Sequence, residues 1–143
     1  MYKFISTLVL AVVASLSFTG CASTGDKQVK AVYHINTDVD TVPVILNNVR
    51  NHMNADPKAK IAVVTHGKGI NFLLQDAKDS KGNEFSGSVS DLASKGVEFK
   101  VCNNTLVGRK IDPSRVVMEA KIVPSGVAEV ANLQAAGYVY LKP

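Results

Sequence analysis

The chain has no tryptophan and few aromatics, 6% of its 143 residues, so it lacks the interleaved rings and Arg/Lys groups that grip single-stranded nucleic acid. Nucleic acid is therefore not among the expected partners. The formal net charge is only +4, and Lys58, Lys60, Lys68, Lys95, Lys100, Arg109 and Lys110 are separated by apolar stretches, the pattern of a solvated face and not of a basic block. Only two cysteines are present, Cys21 and Cys102, and no short Cys/His spacing accompanies them. A metal is not expected, and no cofactor is called for. A Gly-x-Ser-x-Gly elbow is also missing, which removes the usual hydrolase reading of an α/β chain. Gly67-Lys68-Gly69 lacks the longer glycine-rich spacing of a phosphate loop and reads as a tight turn able to approach an anion.

What is present begins with an export signature. Met1 to Lys3 form a short basic start, Phe4 to Phe18 an uncharged apolar run, and Thr19-Gly20-Cys21-Ala22 a small-residue stretch. The run falls short of the roughly 20 residues a spanning helix needs. Phe18-Thr19-Gly20-Cys21 resembles the bacterial lipobox, with Phe18 standing where Leu is usual. The resemblance implies a signal peptide over residues 1–20, acylation of Cys21, and a polar tether through residue 29 that holds the protein on the periplasmic face of a bacterial membrane. Ordinary secretory cleavage nearby is the alternative, leaving the protein soluble in the periplasm. In either case Cys102 is left without an intrachain partner in a disulfide-permissive compartment, and the domain stands on its apolar core.

Residues 30–143 alternate β-branched runs with helical patterns, which predicts one α/β domain with a five-stranded, mostly parallel sheet covered by helices. Strands are expected at Ala31–Ile35, Ile61–Thr65, Val97–Val101, Lys121–Val123 and Tyr138–Leu141. The recurrence of Val42, Ile45, Leu46, Val49 and Met53 predicts a helix behind an Asp40 or Thr41 cap, with Pro43 in its first turn. Further helical pieces are expected at Ile70–Ala77, Ser86–Ser94, Asn103–Arg109, from Pro113, and at Val127–Ala136.

In open α/β sheets the ligand crevice forms at the carboxyl ends of parallel strands. Those ends are polar here: His34 and Asn36, then His66 and Lys68, then Cys102, Asn103, Asn104 and Thr105, then Ser125 and Gly126. Cys102 precedes a helix start, where backbone N–H groups favour a thiolate. It is then either a nucleophile, with His66 or Lys68 assisting and Asn103 and Thr105 steadying the bound group, or a buried structural cysteine. His66 reads equally as acid, base or anion ligand and as a helix cap. His34 is either a ligand-binding residue or a satisfied core histidine, because period-two counting leaves its face undecided. His52 is expected on the surface.

Asn51-His52-Met53, Val63-Val64-Thr65-His66-Gly67, Gly96-Val97-Glu98-Phe99, Val101-Cys102-Asn103-Asn104-Thr105-Leu106 and Val123-Pro124-Ser125-Gly126-Val127 resemble blocks of the DsrE/DsrF-like proteins. The likeness spans nearly all of residues 30–143. It implies the five-stranded three-layer fold and assembly into homotrimers or homohexamers. It also implies a sulfur carrier of sulfurtransferase type, since a cysteine after the third strand holds a persulfide in the sulfur-relay members and Cys102 matches that position. An exported chain would not meet the cytoplasmic partners of those members, so its sulfur donor and acceptor are open. The alternative is an oligomeric small-ligand-binding module without catalytic activity.

Overall fold

A computed structural model describes residues 28–143. The segment read as a signal peptide, Cys21 and most of the expected tether lie outside the described residues. Five strands form one sheet: β1 (Lys30–Ile35), β2 (Lys60–Thr65), β3 (Glu98–Cys102), β4 (Ala120–Val123) and β5 (Val139–Leu141). All pairings are parallel, in the order β4-β3-β2-β1-β5. The expectation of a mainly parallel sheet thus resolves to a wholly parallel one.

The central strands are continuous apolar runs because both their faces are covered. On one face α1 (Val42–Ala55), a 3₁₀ segment (Gly67–Leu73), α2 (Ser86–Ser94) and α3 (Asn103–Gly108) bury the main core. There Val42, Ile45, Leu46 and Val49 of α1, with Ile70, Phe72 and Leu73, pack on Tyr33, Ile35, Val63, Phe99 and Val101. On the other face α4 (Gly126–Ala135) presses Val130 and Leu133 against Val32, Ala62 and Val64. Lys100, on that face, reaches Glu129 of α4 at 2.6 Å and Glu98 at 3.3 Å, with 13% of its side chain exposed. The aliphatic stem therefore packs while the ammonium ties β3 to α4.

The helix expected over Ile70–Ala77 is instead the 3₁₀ segment Gly67–Leu73. Ile70 and Leu73 recur at three residues, and Gly69 sits so close to β1 that a Cβ there would stand 2.1 Å from the Ile35 carbonyl oxygen. The segment winds with a three-residue period, in which residues three apart eclipse, and Gly69 lets it lie against β1. α1 begins after Thr41 with Pro43 in its first turn, as expected, but the Thr41 hydroxyl donates to the Asp38 carbonyl at 2.9 Å and caps nothing in α1. His52 is half-buried and not a surface residue, because its Nδ1 shares a 3.0 Å hydrogen bond with the Tyr33 hydroxyl across the α1–β1 interface.

Candidate thiol site at the strand ends

Because every strand runs the same way, the residues that follow β1, β2, β3 and β4 emerge at one edge of the sheet. Cys102 closes β3 and is 4% exposed. It is the extended N-cap of α3 (φ −71°, ψ 115°), so the chain folds straight back over its sulfur. α4 starts at the same edge after the Pro124-Ser125 turn and crosses the other face towards β5. The Asn104 N–H donates to the Pro124 carbonyl at 3.2 Å, locking the two turns together.

The thiol sits among donors. Burial pushes its pKa up, while the Thr105 hydroxyl and the backbone N–H groups of Gly126, Thr105 and Asn104 pull it down; the balance falls below the usual thiol value. Thr105 is oriented for this role because its Oγ1 accepts the Gly67 N–H at 3.0 Å, leaving the hydroxyl proton for the sulfur. The Gly67 turn has φ +55°, the left-handed region that glycine occupies at no steric cost. Arg109 fixes that turn from outside, its Nη1 donating to the Gly67 carbonyl at 3.1 Å and to Asn71 Oδ1 at 2.8 Å.

Gly126 is placed by contact. A Cβ at that position would lie 3.0 Å from the Thr65 carbonyl oxygen, 3.1 Å from Cys102 Cβ and 3.2 Å from His66 Cβ. The absence of a side chain lets the Gly126 amide reach the sulfur, and it shows that His66 and Cys102 flank the same residue. Ser125 caps α4, its Oγ accepting the Ala128 N–H at 3.4 Å.

Beside the thiol lies a histidine pair. His34 projects from β1 onto the α4 face, its ring against that of His66 with centroids 4.7 Å apart and the planes tilted by 32°. Its Nδ1 is 2.8 Å from the Tyr140 hydroxyl of β5, and its Nε2 is buried with no hydrogen-bond partner in the protein. Burial lowers the pKa of His34, helped by His66 and Lys142; burial and then Lys142 lower that of His66. Both rings are therefore held neutral more firmly than a free imidazole. His34 is not a satisfied core histidine, and His66 precedes the 3₁₀ segment without capping it through its side chain.

The edge thus brings together Cys102, Asn104, Thr105, Gly126, His66 and His34. Lys68 is not drawn in: its ammonium pairs with Asp38 at 3.0 Å and its side chain is 69% exposed. Asn36 contributes backbone beside Gly69, and Asn103 is the first residue of α3, neither with a side-chain hydrogen bond to the thiol. Thr65, at the polar end of β2, and Tyr140, which the sequence did not single out, also belong to this edge. Thr65 is fully buried and donates from Oγ1 to the Lys100 carbonyl at 3.1 Å. Tyr140 becomes visible only once β5 is known to pair with β1. Among the described residues no three His, Cys, Asp or Glu side chains are grouped so as to hold a metal ion.

The family model described as the DsrE/DsrF-like family matches residues 29–143, the whole of this domain. The chain belongs to the DsrE/DsrF-like family. Among solved structures, a protein of unknown function, MTH1491 from Methanobacterium thermoautotrophicum, is 33% identical with a TM-score of 0.73, covering 81% of this chain and all of that one. The ychN protein of E. coli shares the fold at 13% identity, TM-score 0.66, over 81% of this chain and 99% of its own. A comparison with curated proteins found no match. As a DsrE/DsrF-like domain, the chain carries its polar strand ends on a family scaffold.

Proposed function

We propose that this protein is a membrane-tethered, periplasmic sulfur carrier that holds sulfane sulfur on Cys102. The observation that carries this reading is the set of donors converging on a buried thiol, one hydroxyl and three backbone N–H groups, which favour the thiolate over the thiol. That is the species that attacks sulfur. In the forward step the Cys102 thiolate attacks the terminal sulfane sulfur of a polysulfide or persulfide donor. A new S–S bond forms, the donor S–S bond breaks, and the shortened donor leaves as an anion. Delivery reverses the bookkeeping: an acceptor thiolate takes the outer sulfur and Cys102 returns as thiolate. The same donors stabilise the Cys102 thiolate from which loading starts and to which delivery returns. His66, neutral and next to Cys102 across Gly126, is positioned to take a proton from an entering hydropersulfide.

The lipobox-like segment supports the membrane location, and exposed apolar side chains support self-association into trimers or hexamers. Ile122 on the edge strand β4 and Met118 just before it are exposed, Met118 at 94%, as are Val107 of α3 and Val127 of α4.

Loading tests the function directly. Incubation with polysulfide followed by intact-mass analysis should add one sulfur per chain, removable by cyanide, and Cys102→Ser should add none. Equal loading of the Cys102→Ser protein would sink the proposal. A second reading, a small-anion-binding module in which the cysteine only packs, is favoured by the 4% exposure of Cys102. Saturable anion binding with an unchanged affinity in Cys102→Ser would support it.

A further inference from the structure

The register of the sheet sets Tyr140, His34, His66 and Cys102 in a line across the face that α4 covers. Tyr140 stands opposite Val32, His34 opposite Val64, and Val64 opposite Lys100. His34 lies two residues beyond Val32, and His66 and Cys102 two beyond Val64 and Lys100, so each pair points to the same face. His66 keeps to this alternation because its backbone is still extended, at φ −151° and ψ 173°. Every link of the line is a contact. The Tyr140 hydroxyl is 2.8 Å from His34 Nδ1, the His34 and His66 ring centroids are 4.7 Å apart, and His66 and Cys102 both flank Gly126.

His34 is the member of this line least able to take a proton. Its Nε2 is buried and is the one such side-chain atom without a hydrogen-bond partner among the described residues. An imidazolium carries a proton on both nitrogens. Nδ1 can then donate to the Tyr140 oxygen, but a charged Nε2–H would stay buried without an acceptor, which costs more than the same defect in a neutral ring. The charges around the pair act the same way. Lys142, just past β5, disfavours a second cation on either ring, and His66 disfavours one on His34. Glu129, the one acid of α4, is already engaged by Lys100 at 2.6 Å. The Cys102 thiolate, the anion of the line, lies on the far side of His66 from His34 and so favours a proton on His66.

We propose that Tyr140 and His34 are positioning residues for His66: the Tyr140 hydroxyl fixes the His34 ring, and that ring, staying neutral, holds the His66 imidazole beside Cys102 as the single proton acceptor of the site. The inference deepens the sulfur-carrier reading and rests on it. With a hydropersulfide donor, RSSH, the Cys102 thiolate attacks the outer sulfur, the donor S–S bond breaks, and RS⁻ leaves with the electron pair. His66 takes the S–H proton and hands it to RS⁻, so that Cys102 keeps a persulfide anion and the thiol RSH departs. A His34 that shared the proton would draw it one strand away from the leaving sulfur, roughly 5 Å.

The purified mature protein, isotope-labelled in its histidine rings, is titrated by NMR, with the rings assigned through His34→Phe and His66→Gln. His66 should titrate, and His34 should keep one neutral tautomer at every pH at which the fold is intact. A His34 that takes a proton with or before His66 would overturn the inference. Tyr140→Phe removes one hydroxyl from a side chain 39% exposed and should release His34 into a mixture of tautomers. In that variant the maximal rate of loading from an alkyl hydropersulfide should fall roughly tenfold with KM little changed. Alkylation of Cys102 by iodoacetamide, which needs the thiolate but no base, should keep its rate. An unchanged loading rate, or a loss shared equally by alkylation, would also overturn it. Failure of the unmutated protein to load would remove the sulfur-carrier reading alone, because the titration reads the two rings without any sulfur and still decides which of them takes the proton.

Discussion

Cys102 owes its character to neighbours that act in opposite directions. Burial disfavours the thiolate, and the Thr105 hydroxyl with the amides of Gly126, Thr105 and Asn104 outweighs it. Thr105→Val removes the hydroxyl donor and also leaves the Gly67 N–H without its acceptor. The expected result is an upward shift in the midpoint of Cys102 alkylation against pH, with a loss of about 1 kcal/mol in stability for the broken hydrogen bond. The histidine pair gives a second test at this scale. Both rings have folded pKa values below the unfolded value of about 6.5. Between the folded and unfolded values the unfolded chain binds more protons, so the stability they contribute is complete above about pH 6.5 and is lost as pH falls below it. Urea midpoints measured from neutral to mildly acidic pH should fall, and His66→Gln should flatten that slope.

At the scale of elements, the parallel strands and α1 were legible because their patterns are dictated by burial on two faces and on one helical stripe. The Val42, Ile45, Leu46 and Val49 stripe is the buried face of α1. The 3₁₀ segment was not legible as such, since Ile70, Phe72 and Leu73 fit the start of either helix type. The close approach of Gly69 to the Ile35 backbone is likewise a long-range contact with no local signature. Gly69→Ala places a Cβ into that backbone and should cost about 3 kcal/mol or more, read as a lowered urea midpoint. Polar strand ends pointed to Cys102, Thr105, His66 and Gly126, but not to Tyr140, whose place depends on β5 pairing with β1. The Lys100–Glu129 pair that joins β3 to α4 was equally hidden, because both residues read as ordinary surface charges. Lys100→Met leaves Glu129, 20% exposed, without its partner. A loss of about 1–3 kcal/mol is expected, with most of it recovered in Lys100→Met combined with Glu129→Leu.

For the molecule as a whole, parallel strands separate two edges with different duties. One gathers a thiol, a histidine pair and backbone donors; at the other the chain enters β1 through Gln28 and Val29. The β4 edge leaves Met118 and Ile122 exposed, with Val107 and Val127 exposed on α3 and α4, apolar side chains that assembly through this edge would cover. Light scattering should give a trimeric or hexameric mass, and Met118→Asp with Val127→Asp should reduce it to the monomer without lowering the urea midpoint. Sulfur handling, however, stands or falls on the thiol. The most direct measurement is the rate of Cys102 alkylation against pH in the folded protein, read by peptide mass so that Cys21 is counted apart. A carrier thiol should titrate below the free value of about 8.5 and react while the fold is intact. A Cys102 that stays inert across that range until urea unfolds the chain would contradict it.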